Sequence, residues 1–445
     1  MQNFTSYILT GVTGAGKTKY AINLAKKLIK DHQDLLLISI DSRKAYKYLD
    51  VGTNKFAFLN NINLLSKLSN KHNTKVIYCG INLFLPNETI NVFEFYKRLT
   101  LTCKNKINGL GNFKTIIFGG TLLYLRPLLN LPIFDNPPSL PYLRRLLETL
   151  PNEKIKKLAS IIIPNFNKLN YSEQNNIRRL IRKIEITLIQ NENVLNYFAQ
   201  NLDYLNFKIN IQKFMQEYMS YKQQYQINKK YMQEIRSFIS SIIKSTPEVK
   251  LFVPNNILNH NYLSRLIARI LNMFKLGFAN ETLDLINRYK EEYYTYSQLS
   301  NLPALKIMGY DILSNFFNNL ITQETSNLVK KLNKKTNTPN CYNYDYLKKQ
   351  ASYLDSYLAS LFDKKINEMS FSDYLANYYI KNNSFGIKKM ANDLCKQFSL
   401  QQQSMFVLLS IFKKHLDYAR YQKQSIKSIL NLTPSFNKNT KDTIS

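Results

Sequence analysis

Short apolar runs alternate with amphipathic segments over the first part of the chain, to about residue 130. The runs at 7–9, 35–40 and 115–118 have the length of buried strands, and 76–78 is a weaker candidate. Between the first two runs, apolar side chains recur at helical spacing over residues 21–29. This alternation predicts an α/β fold in which a parallel sheet is covered by helices.

Beyond a proline-rich loop at 132–141, the pattern becomes helical. It predicts amphipathic helices at 174–190, 262–289 and roughly 397–430, and a helical hairpin within 195–245. A stretch dense in Lys, Asn and Thr at 330–345 is typical of a flexible connector. We divide the chain into an α/β core at 1–190, a helical insertion at 191–250, a core return at 251–320, a partly flexible insertion at 321–400 and a C-terminal helix at 401–445.

A glycine-rich segment, GVTGAGKT at residues 11–18, lies between the first predicted strand and the first predicted helix. It matches the phosphate-binding pattern G-x-x-x-x-G-K-[ST], in which backbone N–H groups surround phosphate oxygens. The bare pattern also occurs as a glycine turn without function, but the flanking strand and helix favour a phosphate site. The predicted phosphate ligands are Gly11, Thr13, Gly14, Ala15, Gly16, Lys17 and Thr18, and the Thr18 hydroxyl is also a candidate ligand for Mg²⁺.

Two further polar residues follow predicted strands. Asp41 comes after the run at 35–40, and Thr121 comes after Gly119-Gly120. Because ligands bind at the carboxyl ends of parallel strands, we expect both residues near the glycine-rich loop. Asp41 is a candidate general base or magnesium ligand, and Thr121 is a candidate phosphate donor. Each could instead cap a helix. The fold class is thus an α/β, P-loop NTPase-like parallel sheet core with helical insertions and a helical C-terminal part.

The net charge of the chain indicates which class of molecule it binds. Its 445 residues include 61 Lys and Arg against 30 Asp and Glu, a formal net charge of +31. A solvated lysine surface would account for part of this excess, but so basic a chain attracts polyanions, with nucleic acid as the natural partner. Four cysteines and four histidines show no zinc spacing, so we expect free thiols in a reducing compartment, the cytoplasm. No apolar run reaches the length of a membrane span, and we expect no targeting segment.

Several motifs occur in an order that resembles the tRNA dimethylallyltransferase (tRNA isopentenyltransferase) family. After the glycine-rich loop come ISIDSRKAY at 38–46, LDVGTNK at 49–55, GGTLLYL at 119–125, NNIRRLIRKIE at 175–185, Arg265 and Arg269 on a later helix, IMGY at 307–310 and YARYQ at 418–422. The resemblance implies a P-loop core that moves a dimethylallyl group from dimethylallyl diphosphate to N6 of adenosine 37, in the anticodon stem-loop of tRNA. It also implies Mg²⁺ with the diphosphate, and we expect a monomer.

The same resemblance assigns roles to the remaining polar residues. It implies catalytic roles for Asp41, Thr121 and Arg265, a share in diphosphate binding for Arg179 and Arg182, and tRNA contacts for Ser42, Lys44, Arg178, Lys183 and Arg269. The cluster at 178–183 could instead be a solvated basic face. Arg265 and Arg269, one helical turn apart, could instead form internal salt bridges.

The sequence also departs from the family pattern. Lys44 stands where the family usually has a Gln that helps to recognise adenine, and Cys79-Gly80 stands where it has two histidines. Three other functions therefore remain open: an adenylate (AMP or ATP) isopentenyltransferase, a P-loop kinase or hydrolase, and a non-catalytic tRNA-binding relative.

Overall fold

The structure of the chain is a computed structural model. It describes residues 6–107, 110, 112–129, 140–169, 174–191, 193, 196, 211–243, 247–290, 299, 301–332, 343–366, 368–398, 400–431 and 441–442. The predicted proline loop therefore lies largely outside the described residues, as do the beginning of the predicted hairpin and most of the connector at 330–345.

A parallel sheet forms the centre of the fold, with strand order β3-β2-β4-β1-β5-β8. The strands in it are β1 (Ser6–Gly11), β2 (Asp34–Ser39), β3 (Val76–Cys79), β4 (Phe113–Gly119), β5 (Glu248–Phe252) and the two-residue β8 (Lys441–Asp442). A separate antiparallel pair is formed by β6 (Lys365–Ile366) and β7 (Met369–Ser370). The α/β prediction and its four predicted strands are confirmed. Strand β5 was not predicted, because its five residues EVKLF give too short a pattern to stand out.

Helices follow most strands and make up most of the described residues in the second half of the chain. Their bounds are α1 (Lys17–Lys30), α2 (Lys55–Lys71), α3 (Val92–Ile107), α4 (Leu122–Leu125), α5 (Pro141–Glu148), α6 (Asn152–Ile162), α7 (Ile177–Gln190), α8 (Ile211–Ile242), α9 (His260–Lys275), α10 (Phe278–Tyr289), α11 (Tyr310–Leu332), α12 (Tyr344–Phe362), α13 (Phe371–Asn382), α14 (Ile387–Phe398) and α15 (Gln402–Asn431).

The central strands are buried on both faces, as a doubly covered parallel sheet requires. Leu35, Leu37, Ile116 and Phe118 are nearly inaccessible to solvent and pack with the inner faces of α1 and α2. Because all strands of this sheet run in the same direction, their carboxyl ends meet along one edge. The glycine-rich loop after β1 lies at that edge.

The chain separates into two compact units, residues 1–129 with 240–445, and residues 130–239. In the second unit, α5, α6 and α7 pack around a core that includes Leu143, Leu158 and Ile184. Glu185 is fully buried there and is paired with Arg144 at 2.5 Å and with Arg182 at 3.1 Å. The structure groups the 177–190 helix with this unit, whereas the division predicted from the sequence draws its boundary at 191. That five-segment division stays a prediction.

Two predicted helices have different bounds in the structure. The single helix predicted at 262–289 is wrong, because the chain breaks at Gly277 into α9 and α10. Gly277 has a φ of 88°, a left-handed conformation that glycine tolerates and that ends a helix. The helix predicted from 397 begins instead at Gln402, after the separate α14. Within the insertion, α12 and α13 pack against α9.

Cys79 and Cys103 correct the prediction that all cysteines are free. Cys79 ends β3 and Cys103 lies on α3, which packs against β3. This packing brings the two Cα atoms within 6.0 Å and joins the sulfurs in a disulfide, whereas Cys395 is free. The pairing was not predictable from spacing, because it depends on how the helix crosses the strand. Among the described residues, no helix combines the length and apolar character that a membrane crossing needs.

Glu281 on α10 fixes the loop at Asp50–Gly52, which lies between Asp41 and the start of α2. Its carboxylate accepts hydrogen bonds from the backbone N–H groups of Asp50, Val51 and Gly52 at 2.7–3.1 Å. Tyr310 also donates its hydroxyl to Glu281, at 2.5 Å. At Gly52 there is no room for a side chain, because an added Cβ would lie 2.1 Å from the Phe278 ring. This loop is therefore fixed by contacts with residues more than two hundred positions away.

We predict that Gly52→Ala destabilises the protein by about 1–3 kcal/mol, the usual cost of overpacking a core. The added methyl group must displace the rings of Phe278 and Tyr310. Urea unfolding followed by circular dichroism measures the effect. Gly386→Ala is the matched control, since nothing lies within 4 Å of a Cβ at that position. Equal unfolding midpoints for the two variants would contradict the prediction.

Candidate active site

Lys17, at the end of the glycine-rich loop, forms hydrogen bonds back to the beginning of the same loop. Lys17 donates from Nζ to the carbonyl oxygens of Gly11 and Val12, at 2.9 and 2.6 Å. The N–H group of Val12 donates to the carbonyl oxygen of Phe252 on β5, at 3.0 Å. Gly11 permits this approach, because a Cβ there would lie 2.1 Å from the same oxygen. The ammonium group is thus held over the loop, where it can meet an anion.

Thr13, near the middle of the loop, is held from three directions. Tyr262 on α9 donates its hydroxyl to the Thr13 carbonyl oxygen at 2.8 Å, and Arg269 donates to the Thr13 hydroxyl at 3.3 Å. The N–H group of Thr13 donates to Oε1 of Gln422 on α15, at 2.8 Å. The loop therefore takes its shape from two distant helices as well as from its glycines.

Asp41 and Thr121 lie in adjoining segments at the same sheet edge. The Thr121 hydroxyl oxygen accepts from the Ser42 N–H at 3.0 Å and lies 3.2 Å from the Ser42 hydroxyl oxygen. Thr121 makes no side-chain cap to α4, and the next helix after Asp41 begins only at Lys55. The helix-cap alternative is therefore wrong for Asp41, whereas Thr121 occupies the N-cap position of α4 without a side-chain cap bond.

Positive charge surrounds the Asp41 carboxylate. Arg43 contributes its N–H at 3.0 Å and its guanidinium at 3.5 Å. Burial alone would raise the pKa of Asp41, but Arg43, Lys44 and Lys17 outweigh that effect and hold it below the ordinary value. Asp41 is therefore ionised at neutral pH and can accept a proton.

The cations beside Asp41 are themselves desolvated. Burial lowers the pKa of Lys17 to about 7 and that of Lys44 to about 8, although Asp41 acts in the opposite direction on both. Burial and the charge of Arg43 lower the pKa of Arg269 to about 10. The Nε atom of Arg269 is buried and has no hydrogen-bond partner among the described residues. The site thus has more positive charge than its single carboxylate balances.

Lys44 does not lie on the surface. Its side chain is 5% exposed, and its ammonium is 5.4 Å from the ring centre of Phe58 and 5.9 Å from that of Phe118. The neighbouring Arg43 stacks on Tyr418 of α15, 5.0 Å from the ring centre. The charge of Lys44 acts on Asp41, and its predicted contact with tRNA stays a prediction.

The two arginines of α9 are placed differently. Arg269 contacts the phosphate-binding loop, whereas Arg265 is exposed on the helix surface. The catalytic role predicted for Arg265 and the tRNA contact predicted for Arg269 stay predictions, although Arg269 contacts the loop predicted to bind phosphate.

The remaining predicted arginines lie in the unit of residues 130–239. Arg178 and Arg179 are exposed at the start of α7, and Arg182 is paired with Glu185. Lys183 is partly buried on the same helix. The internal ion pair shows that Arg182 is more than part of a solvated basic face. The roles predicted for these four residues in diphosphate and tRNA binding stay predictions.

The residues at the loop fit Mg²⁺ only together with a phosphate ligand. Thr18 is the first-turn hydroxyl of α1, and no cluster of three or more acidic, His or Cys side chains occurs among the described residues. Mg²⁺ commonly keeps several waters and shares substrate phosphates with one or two protein oxygens. The Thr18 hydroxyl as the one protein ligand, together with diphosphate oxygens and waters, would fit this way of binding Mg²⁺.

Sequence reasoning missed several residues of this site, namely Arg43, Tyr262, Tyr418 and Gln422. Arg43 adjoins Asp41, and Gln422 ends the YARYQ motif, so a signal existed for both. Tyr262 gave no signal, because only the packing of α9 brings its hydroxyl to the loop.

The curated relatives that match this chain are described as tRNA dimethylallyltransferases. A tRNA dimethylallyltransferase of Finegoldia magna is 33% identical over 185 residues, 40% of this chain and 52% of that protein. One from Prochlorococcus marinus subsp. pastoris is 25% identical over 305 residues, 68% of this chain and 76% of that protein. The chain thus spans about half the length of the first relative and about three quarters of the second.

A crystal structure of the full-length tRNA isopentenylpyrophosphate transferase from Bacillus halodurans is 16% identical, covering 86% of this chain and 98% of that one. Its TM-score of 0.33 is too low to support a comparison of the two folds. The family model described as IPP transferase matches residues 44–356, which is more than half of the chain. The chain therefore belongs to the IPP transferase family.

Proposed function

We propose that this protein transfers a dimethylallyl group from dimethylallyl diphosphate to N6 of adenosine 37 in tRNA. The observation that carries the proposal is the ionised Asp41 beside a phosphate-binding loop with excess positive charge. Family membership supports the same reaction class. The donor, the acceptor nucleotide and a monomeric state are parts of this proposal.

The loop and its cations suit a leaving diphosphate. As the bond between the prenyl C1 and the diphosphate oxygen breaks, negative charge develops on that oxygen. Lys17, Thr18 and the loop amides would bind the departing group, and Arg269 and Thr121 lie in the segments next to them. Mg²⁺, held by Thr18 and the diphosphate, would supply further charge neutralisation.

Asp41 would serve as the base on the acceptor side. The N6 amine attacks C1 of the prenyl group, and the carboxylate of Asp41 takes the proton that the amine loses. An adenine amine is a weak nucleophile, so its orientation must supply much of the rate. The Ser42–Thr121 hydrogen bond fixes the segment that carries Asp41 and so supports that orientation. To reach this site, the target base must leave its stack.

Charge supports tRNA as the acceptor. A net charge of +31 favours a polyanion over a free nucleotide. The exposed Arg178 and Arg179 on α7 are candidates for backbone phosphates of the anticodon stem-loop. We place the activity in the cytoplasm as part of the proposal.

One labelling assay separates this function from its alternatives. The chain is incubated with labelled dimethylallyl diphosphate and, in separate reactions, with tRNA, AMP or ATP. Label on tRNA supports the proposal, and label on AMP or ATP supports an adenylate isopentenyltransferase. Retention of tRNA without any transfer supports a non-catalytic tRNA-binding protein, and phosphate release from ATP supports a kinase or hydrolase.

We predict that Asp41→Asn lowers the transfer rate by about 10²–10⁴-fold, the usual contribution of a general base. An amide cannot accept the proton, while the fold and the tRNA surface stay intact. Single-turnover label transfer measures the rate, and filter retention of tRNA measures binding. Asp31→Asn, an exposed aspartate just after α1, is the control and keeps the full rate. Full activity in Asp41→Asn would show that another group is the base.

We predict that Lys44→Gln shifts the acid limb of the pH–rate profile to higher pH. The positive charge of Lys44 lowers the pKa of Asp41, so its removal raises that pKa and leaves less base at acidic pH. The difference fades as the pH rises well above the pKa of Asp41, because the carboxylate is then fully ionised in both proteins. Lys47→Gln, an exposed lysine three residues away, keeps the wild-type profile. A change in KM for tRNA that is equal at every pH would instead favour direct recognition of tRNA by Lys44.

A further inference from the structure

Gln422 joins the phosphate-binding loop to the turn after β4. The side chain is fully buried, accepts from the Thr13 N–H at 2.8 Å and donates from Nε2 to the Gly120 carbonyl oxygen at 2.6 Å. The next residue, Lys423, donates to the carbonyl oxygens of Pro254 and Asn255 at 2.9 and 2.6 Å. Residues 422–423 of α15 are therefore anchored by four hydrogen bonds, one to the loop, one to the turn after β4 and two to the segment after β5.

The bridge formed by the Gln422 amide occupies the Thr13 N–H, a backbone donor that could otherwise bind a phosphate oxygen. A phosphate-binding loop works through backbone N–H groups that converge on phosphate oxygens. The Thr13 N–H is already engaged by Gln422, and both polar groups of that amide are satisfied within the protein. The space beside Gly120 is filled as well, because a Cβ there would lie 2.9 Å from Gln422 Nε2.

The position of the bridge limits the length of the ligand. The amides of Gly16, Lys17 and Thr18 lie at the N-terminus of α1, which attracts the first phosphate group. Further phosphate groups that extend along the loop away from that terminus would approach Thr13, whose N–H is bound to Gln422. A third phosphate on this path would need the donor and the space that Gln422 occupies.

We infer that Gln422 is a specificity-determining residue that restricts the loop to a diphosphate and rejects triphosphates. The inference rests on the proposed function, since it explains how a loop pattern shared with nucleotide hydrolases serves a prenyl diphosphate. In addition, it assigns α15 a part in the choice of donor. The C-terminal helix closes the side of the loop on which a nucleoside triphosphate would carry its terminal phosphate.

Isothermal titration of the full-length chain with inorganic diphosphate and with inorganic tripolyphosphate, both with Mg²⁺, tests the inference. Wild-type protein is expected to bind diphosphate at least about tenfold more tightly, the effect of one charge-assisted hydrogen bond. Gln422→Ala frees the Thr13 N–H and the space beside Gly120, so the preference shrinks by about tenfold. Gln422→Glu keeps the size and the acceptor atom, so it weakens both ligands but keeps the preference.

Gln403→Ala, an exposed glutamine at the start of the same helix, is the control and keeps the wild-type ratio. If the alanine variant does not fold, Gln422→Ser takes its place. Equal binding of the two ligands by the wild type overturns the inference, and so does an unchanged ratio in the alanine variant. Because these titrations contain neither prenyl donor nor tRNA, a failure of prenyl transfer in the labelling assay is a separate result that counts against the proposed function.

Discussion

An excess of buried positive charge at the carboxyl edge of the sheet is the constraint on which this structure depends. Lys17, Lys44 and Arg269 all have lowered pKa values because they are desolvated, and Asp41 is the carboxylate that acts on each of them. Desolvated cations are costly unless they are paired. An anionic ligand with several charges would relieve this cost, which supports the proposed binding of a diphosphate.

The site is assembled from segments that are far apart along the chain. The loop follows β1, Asp41 follows β2 and Thr121 follows β4, so the parallel sheet alone brings these three segments to one edge. Two helices complete the site, because α9 supplies Arg269 and α15 supplies Gln422. The bond between Thr13 and Gln422 joins residues 409 positions apart. The shape of the loop therefore depends on the C-terminal helix being folded in place.

The insertion also contributes to the helices near the site. Asp355 on α12 accepts from the N–H groups of Ala279 and Asn280, the first turn of α10. Gly277, which precedes that turn, has no side chain to act as a cap. The same helix α10 carries Glu281, which holds the loop at Asp50–Gly52. The insertion at 321–400, for which the sequence indicated no function, thus stabilises α10, and α10 in turn holds the loop at Asp50–Gly52.

The sequence by itself determined the alternation of strands and helices, the phosphate-binding loop and the strand-end positions of Asp41 and Thr121, since each is encoded in a local pattern. Only the tertiary structure decided the burial of Lys44, the pairing of Cys79 with Cys103 and the bond from Gln422 to the loop. Strand and helix preferences act over a few neighbouring residues. Burial, ion pairing and amide bridges instead depend on which distant surfaces meet, and those meetings arise only when the whole chain packs.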